Sequence, residues 1–125
     1  MANEVVTLGG VNYISNPFDN IFDSTERVIG IWFNKPLYRK ILIYTYSGVT
    51  SLNETINPNL GSNVDTIVKF EGYFITNTKQ IAMATGSGFG IWFNNVATLR
   101  ISSAEWDSSK TYTIYVYTYY TKTTN

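Results

Sequence analysis

The chain has 125 residues, a length typical of one domain with a single hydrophobic core. Its nine Lys and Arg residues balance its nine Asp and Glu residues, which argues against a nucleic-acid binder, and no basic run indicates an electrostatic membrane anchor. Cysteine and histidine are absent, which excludes disulfides, thiol nucleophiles, zinc–thiolate sites and the commonest general base.

The first ten residues, MANEVVTLGG, contain neither a basic start nor a long apolar run, so no signal peptide is expected. No stretch of about 18 apolar residues predicts a transmembrane helix, and membrane insertion is not expected. Aromatic residues make up 16% of the chain and charged residues only 14%, against roughly 25% charged residues in ordinary domains. This composition favours a virion or extracellular protein with subunit interfaces.

Val, Ile, Thr and Tyr dominate the chain, turn residues recur at short intervals, and no window has a helical period. The pattern predicts an all-β fold, a jelly-roll-like antiparallel β-sandwich of about seven to nine strands with little or no helix. In chain order, the predicted strands cover residues 5–8, 27–33, 37–46, 66–76, 80–84, 88–93, 98–102 and 112–121.

We expect one domain over residues 1–125. Within it, residues 1–24 are predicted to form an N-terminal strand and a loop that carries Phe18 and Phe22. Residues 47–63 are polar and contain Gly and Pro, so they are predicted to form a long surface loop.

Alternation along the strands predicts their faces. The even positions Val64, Val68, Phe70 and Phe74 are apolar, so the even side is expected to face the core. The odd positions carry charge at Asp65, Lys69 and Glu71. In the strand at 98–102, the odd positions are expected to face in and the even ones out.

The last strand has an apolar row and an unusual opposite row. Its outward positions carry tyrosine three times in succession, at Tyr115, Tyr117 and Tyr119. A strand that is amphipathic on its outer side is expected to lie against a ligand, a second layer or another subunit.

The pentapeptide GIWFN occurs twice, at residues 30–34 and 90–94. Outside these five positions the two segments differ, so we interpret them as two similar hairpins, with a remnant of internal duplication as the alternative. Asn94-Asn95 suits a two-residue turn, and Pro36 suits a strand start after the turn at Asn34.

The first copy lies within DSTERVIGIWFNKPLYRK, at residues 23–40. This phrase resembles a segment near the C-terminus of bacteriophage tail-fibre and receptor-binding proteins, S-T-x-E-x-x-I-G-x-W followed by a turn and K-P-[IVL]-Y-x-K. NVDTIVKFEGYF at 63–74 and YTKTTN at 120–125 are similar to two further phrases of that family, in the same order. The family turn usually carries Gly before K-P, whereas here Asn34 precedes Lys35 directly.

The resemblance implies a β-sandwich tip or accessory domain of a phage virion, commonly a homotrimer. It implies that the shared phrases are scaffold, and Trp32 and Tyr38 are expected to pack in the core or hairpin. The scaffold positions of the first phrase are Gly30, Trp32, Lys35, Pro36 and Tyr38.

The leading hypothesis is therefore a virion protein that adheres to a host surface glycan or protein. Glycan binding uses aromatic faces for stacking and polar side chains for hydrogen bonds. The candidate ligand- or interface-binding residues are Tyr115, Tyr117, Tyr119, Asn53, Asn57 and Asn59. For the tyrosines, a subunit interface is the alternative.

A second hypothesis is a structural virion component, such as a capsid decoration, head fibre or baseplate accessory, that binds other virion proteins. A carbohydrate-binding module or a depolymerase is more remote. Hydrolysis uses two carboxylates about 5 to 10 Å apart, whereas Asp65 and Glu71 are separated by roughly 20 Å of strand. We expect no enzyme activity, no cofactor, no metal and no nucleic-acid partner.

Overall fold

A computed structural model of the chain describes residues 4–8, 11–15, 24–85 and 88–124. Eight of its strands form two antiparallel sheets, and no described residue lies in a helix. The prediction of an all-β antiparallel sandwich is confirmed. The predicted loop with Phe18 and Phe22 lies outside the described residues.

The strands in chain order are β1 (Glu4–Leu8), β2 (Val11–Ser15), β3 (Arg27–Trp32), β4 (Lys35–Ser47), β5 (Leu52–Ile56), β6 (Val64–Thr76), β7 (Ile81–Met83), β8 (Phe89–Asn95), β9 (Thr98–Ser103) and β10 (Thr111–Lys122). One sheet has five strands in the order β3-β4-β10-β6-β7, and the other has three in the order β5-β9-β8. Strands β1 and β2 pair with each other in a separate antiparallel hairpin.

The last strand of the chain is the centre of the larger sheet. β10 pairs with β4 on one side, from Thr111 opposite Ser47 to Tyr120 opposite Tyr38, and with β6 on the other. Its even positions from 112 to 120 are buried, and its odd positions from 111 to 119 are half-buried. The predicted alternation of β10 is confirmed, and the row of tyrosines lies on the outer side of this sheet.

The core lies between the two sheets, where their inward rows meet. Phe74 of β6 packs against Phe89 of β8 at 5.1 Å between ring centroids and against Trp106 at 5.7 Å. Trp106 in turn stacks on Tyr112 of β10 at 4.2 Å. These edge and stacked contacts join both sheets and the connection that leads into β10.

The predicted faces of β6 and β9 agree with this packing. In β6, Phe74 is buried, whereas the charged side chains of Asp65, Lys69 and Glu71 are exposed. In β9, Leu99 and Ile101 are fully buried.

Two local predictions differ from the structure. Residues 47–63 are not one loop, because they contain β5, whose Leu52 is buried against the core while Asn53 and Thr55 point outward. The second hairpin turns at residues 96–97, not at Asn94-Asn95, because β8 continues to Asn95 beside a register shift. Both errors arose where polar residues occupy the outward positions of a strand.

Close approach of the two sheets requires glycine at one position of β6. A Cβ added to Gly72 would overlap the Cδ1 methyl of Ile91 on β8, while its next neighbours lie 3.5 and 3.6 Å away. Ile91 is buried, so its terminal methyl must shift within a close-packed core to admit the Cβ.

We therefore expect Gly72→Ala to lower the free energy of unfolding by about 1–3 kcal/mol through overpacking. Ile91→Val removes the opposing methyl, so the double variant should lose less stability than the sum of the two single variants. Gly30→Ala is the control, since nothing lies within 4 Å of its added Cβ. Urea unfolding measures all four proteins, and simple additivity would contradict the proposed contact.

Candidate functional site

Tyr115, Tyr117 and Tyr119 of β10 lie on the outer face of the five-stranded sheet. The ring of Tyr73 on β6 stacks between two of them, at 5.3 Å from Tyr115 and 6.0 Å from Tyr117. Lys69 Nζ lies 5.6 Å from the ring centroid of Tyr119. Burial, with the contacts to Tyr117, raises the pKa of Tyr73 to about 12, so this phenol remains uncharged at neutral pH.

The tyrosine row is part of a wider apolar band. Across four adjacent strands, Ile43, Tyr115, Tyr73 and Met83 stand directly opposite one another. Ile43 and Met83 are exposed, as is Ile81 beside them. An apolar band that crosses four strands of an outer sheet face is typical of an interaction surface.

The asparagines proposed as ligand contacts divide into two groups. Asn57 accepts a hydrogen bond from the Asn59 backbone N–H at 2.9 Å, and Asn59 has a positive φ of 54°. Lys40 Nζ donates to the Asn59 carbonyl at 3.3 Å. Asn57 and Asn59 therefore shape a turn, whereas Asn53 lies on β5 and faces outward.

Asn53 belongs to the outer face of the three-stranded sheet. Arg100, on the central strand β9, donates from Nη2 to Asn53 Oδ1 at 2.7 Å. On its other side Arg100 lies over the ring of Trp92, with Cζ 5.6 Å from the ring centroid. The sequence alternation predicted that Arg100 faces outward. It did not predict that Asn53 and Trp92 would be its neighbours.

The two copies of GIWFN occupy opposite environments. In the second copy Ile91 is buried and Phe93 packs edge-on against Phe70 at 5.2 Å. In the first copy Ile31 is 77% exposed and Phe33 is 85% exposed. Trp32 meets Phe33 edge-on at 5.0 Å and remains 44% exposed. The packing expected of Trp32 is thus limited to the hairpin itself.

The hairpin between β3 and β4 presents these side chains at its tip. Phe33 and Asn34 form the turn and have φ values of 46° and 62°. Positive φ at both central residues is the pattern of a type I′ turn, in which Asn and Gly are favoured. Phe33 has a bulky side chain in this left-handed region and is therefore a strained residue.

The sequence phrases at residues 23–40, 63–74 and 120–125 meet at one end of the sandwich. Glu26 accepts hydrogen bonds from the Tyr120 hydroxyl and from Lys122 Nζ, the latter at 2.6 Å. Tyr38 stacks on Tyr120 at 5.9 Å, and Lys122 Nζ lies 4.2 Å from the Tyr38 ring centroid. The first and last phrases are therefore joined through buried and half-buried groups.

The middle phrase completes the same cluster. Lys35 Nζ pairs with Asp65 at 3.0 Å and donates to the Lys122 carbonyl at 3.5 Å. The Asn63 carbonyl accepts from the Thr123 backbone N–H at 2.7 Å. We call these residues of the three phrases the end cluster; its members are Glu26, Lys35, Tyr38, Asn63, Asp65, Tyr120, Lys122 and Thr123.

The carboxylates of Asp65, Glu71 and Asp107 make local contacts. Asp65 pairs with Lys35, Glu71 lies 3.7 Å from Lys69, and Asp107 accepts from the Ser109 backbone and hydroxyl. In residues 4–8, 11–15, 24–85 and 88–124, no three Asp or Glu side chains are grouped to hold a metal ion.

A cavity of about 640 Å³ opens between the sheets beside β7. Its aromatic floor is buried, so little ring surface is offered to a ligand there. The floor consists of Phe74, Phe89, Trp106 and Tyr112.

Protein-family models, curated proteins and solved structures include no match to this chain. No helix long and apolar enough to cross a membrane occurs in the described part of the chain.

The end cluster predicts a pH-dependent stability. Burial raises the pKa of Glu26, but hydrogen bonds from Lys122 and Tyr120 outweigh it, and the net pKa lies below its ordinary value. A lowered pKa means that Glu26 stabilises the fold above the unfolded-state pKa and loses this effect as pH falls through the folded-state pKa. At neutral pH, Glu26→Gln should lower the free energy of unfolding by about 1–3 kcal/mol.

Urea unfolding at neutral pH and near pH 3 measures this difference, which should shrink at the lower pH. Asp65→Asn, in the exposed pair with Lys35, is the control and should cost less than about 1 kcal/mol. A deficit of Glu26→Gln that is equal at both pH values would show that the charge of Glu26 is not the cause.

The strained hairpin tip generates a second prediction. Phe33→Asn places a residue that tolerates positive φ in the turn, so it should raise the free energy of unfolding by about 1 kcal/mol. Trp32→Ala is the comparison, because it removes the edge contact with Phe33 and leaves the turn strain. Thermal unfolding measures both variants; a destabilised Phe33→Asn protein would show that Phe33 supports the fold.

Proposed function

We propose that this chain is a bacteriophage virion protein, a tail-fibre or receptor-binding tip domain that adheres to a host surface glycan or protein. The end cluster carries the proposal. The residues through which the sequence resembles this family lie far apart in the chain, yet they contact one another at one end of the fold.

If the similarity of these β-strand segments were a coincidence, the matching residues would not be expected to contact one another. Strand phrases rich in Tyr, Thr and Ile recur in unrelated sandwiches because the same residues favour strands. Here the specific side chains of the phrases interact: Glu26 with Lys122, Tyr38 with Tyr120, and Lys35 with Asp65. A resemblance based on a mutually dependent set of residues supports descent from a common scaffold.

The division between scaffold and free surface also supports adhesion. The end cluster uses the phrases for internal contacts. The outer face of the smaller sheet carries an exposed indole and hydrogen-bonding groups, and that of the larger sheet carries half-buried tyrosine rings. Trp92 and Asn53 on the smaller sheet are exposed, and neither belongs to the shared phrases. Such rings supply rigid contact area at low entropic cost.

The test uses the purified full chain and the phage that carries its gene. Mass spectrometry of purified particles should detect the chain, and fluorescently labelled protein should bind host cells saturably, with competition by extracted surface polysaccharide or protein. Detection in particles without cell binding would favour the structural alternative. Absence from particles would contradict both functions.

The alternative, a structural virion component that binds other virion proteins, is favoured by a separate observation. The outer apolar band around Tyr115 and the exposed tip at Ile31 and Phe33 are surfaces that water solvates poorly. Both functions are compatible with self-association, and we propose a homotrimer whose contacts include the apolar band.

This proposal predicts an oligomer that charge disrupts. Light scattering at micromolar concentration should give about three times the 14.1 kDa chain mass. Met83→Lys introduces a buried charge into the proposed contact and should yield monomers. Ser108→Lys, in an exposed turn away from the band, should leave the mass unchanged. A monomeric wild-type chain would contradict the proposed interface.

A further inference from the structure

We propose that the outer face of the three-stranded sheet binds a carboxylated sugar, with Trp92 stacking on the pyranose ring and Arg100 pairing with its carboxylate. This inference rests on the proposed adhesion function, for which it names a ligand class and a site. The tyrosines of the opposite sheet are not part of it.

The strand register builds a small platform. In one cross-strand row Arg100 stands between Thr55 and Trp92, and in the next Ser102 stands between Asn53 and Gly90. Three strands span two interstrand spacings, about 10 Å, which is the scale of one sugar residue and its substituents. Gly90 adds no side chain and is itself buried, so the outward side chains of the platform are Thr55, Arg100, Trp92, Asn53 and Ser102.

Trp92 is held in a defined orientation. Its Nε1 donates to Asn94 Oδ1 at 3.0 Å, and the guanidinium of Arg100 lies over the ring. The residue nevertheless remains 39% exposed. The C–H face of a pyranose is apolar and slightly positive, so it complements the negative face of an indole that is already fixed in place.

Arg100 supplies the charge selectivity. It is the single charged residue on the outward positions of β5, β8 and β9, all of which the structure describes. Its contacts are the neutral oxygen of Asn53 and the ring of Trp92, and neither carries a negative charge. A guanidinium without a carboxylate partner favours an anionic ligand that pairs with its remaining N–H groups.

The neighbouring groups suit the hydroxyls of a sugar. Thr55, Ser102 and the amide of Asn53 each offer both donor and acceptor atoms on the same face. A mixed set of donors and acceptors next to one cation and one indole matches a uronate or a sialate better than a simple inorganic anion.

Trp32 provides a comparison within the chain. It is the same residue of the same pentapeptide and has similar exposure, 44%. Its ring meets Phe33 edge-on, and its cross-strand partner is Lys35 at the end of the hairpin. Trp32 therefore offers an exposed indole like that of Trp92, but it lies at the tip of the β3–β4 hairpin and not on the three-stranded sheet.

The experiment uses the full chain on an array of oligosaccharides that contain galacturonate, glucuronate, mannuronate or sialate, printed beside their neutral counterparts. The wild type should bind at least one carboxylated group in preference to its neutral counterpart. Trp92→Ala should weaken this binding by about tenfold, as loss of one stacking contact predicts. Arg100→Gln should abolish the preference for the carboxylate.

The matched control is Trp32→Ala, which should bind as the wild type does. Trp92→Phe keeps an aromatic ring and should retain part of the affinity, and unchanged thermal unfolding of the variants shows that the fold is intact. A folded Trp92→Ala protein that binds the array as the wild type does would overturn the site. Binding of neutral glycans alone, or of none, would overturn the ligand class.

Host-cell binding separates this inference from the function on which it rests. If wild type and Trp92→Ala adhere equally to host cells, adhesion stands and the Trp92 site is wrong. If the wild type adheres to no host cells, the proposed adhesion function itself fails.

Discussion

The pairing of β10 with β4 and β6 is the constraint on which the rest of the structure depends. As the central strand of the larger sheet, β10 satisfies its backbone hydrogen bonds on both sides, which a buried strand requires. Its inward residues Ile114, Val116 and Tyr120 are fully buried. The core, the outer tyrosine row and the end cluster are three consequences of where this one strand lies.

The end cluster shows how a sandwich is closed where its strands end. Backbone groups at the strand ends cannot all pair with a neighbouring strand, so side chains form the contacts there. Glu26 accepts hydrogen bonds from Tyr120 and Lys122, and Lys35 forms an ion pair with Asp65. Charge-assisted hydrogen bonds in a half-buried site are stronger than exposed ion pairs. Such contacts constrain the residues that make them.

The duplicated GIWFN illustrates the limit of local sequence. In β8 the smaller sheet covers Ile91 with the core and leaves Trp92 outward beside Arg100. In β3, an edge strand, the same residues lie at the tip of a hairpin, where Ile31 and Phe33 are exposed. The difference lies in the strands that pack against each copy. The pentapeptide specifies which side chains alternate between the two faces of its strand, but not which strands lie against those faces.

The sequence by itself determined the all-β class, most strand positions and the inward rows of β6, β9 and β10, because period-two alternation is a local property. It also located the tyrosine row and placed Arg100 outward. It missed β5, whose outward residues resemble a loop, and it did not bring Asn53, Arg100 and Trp92 together. Only the tertiary structure decided that juxtaposition and the meeting of the three phrases, because cross-strand neighbours depend on strand order and register between segments distant in the chain.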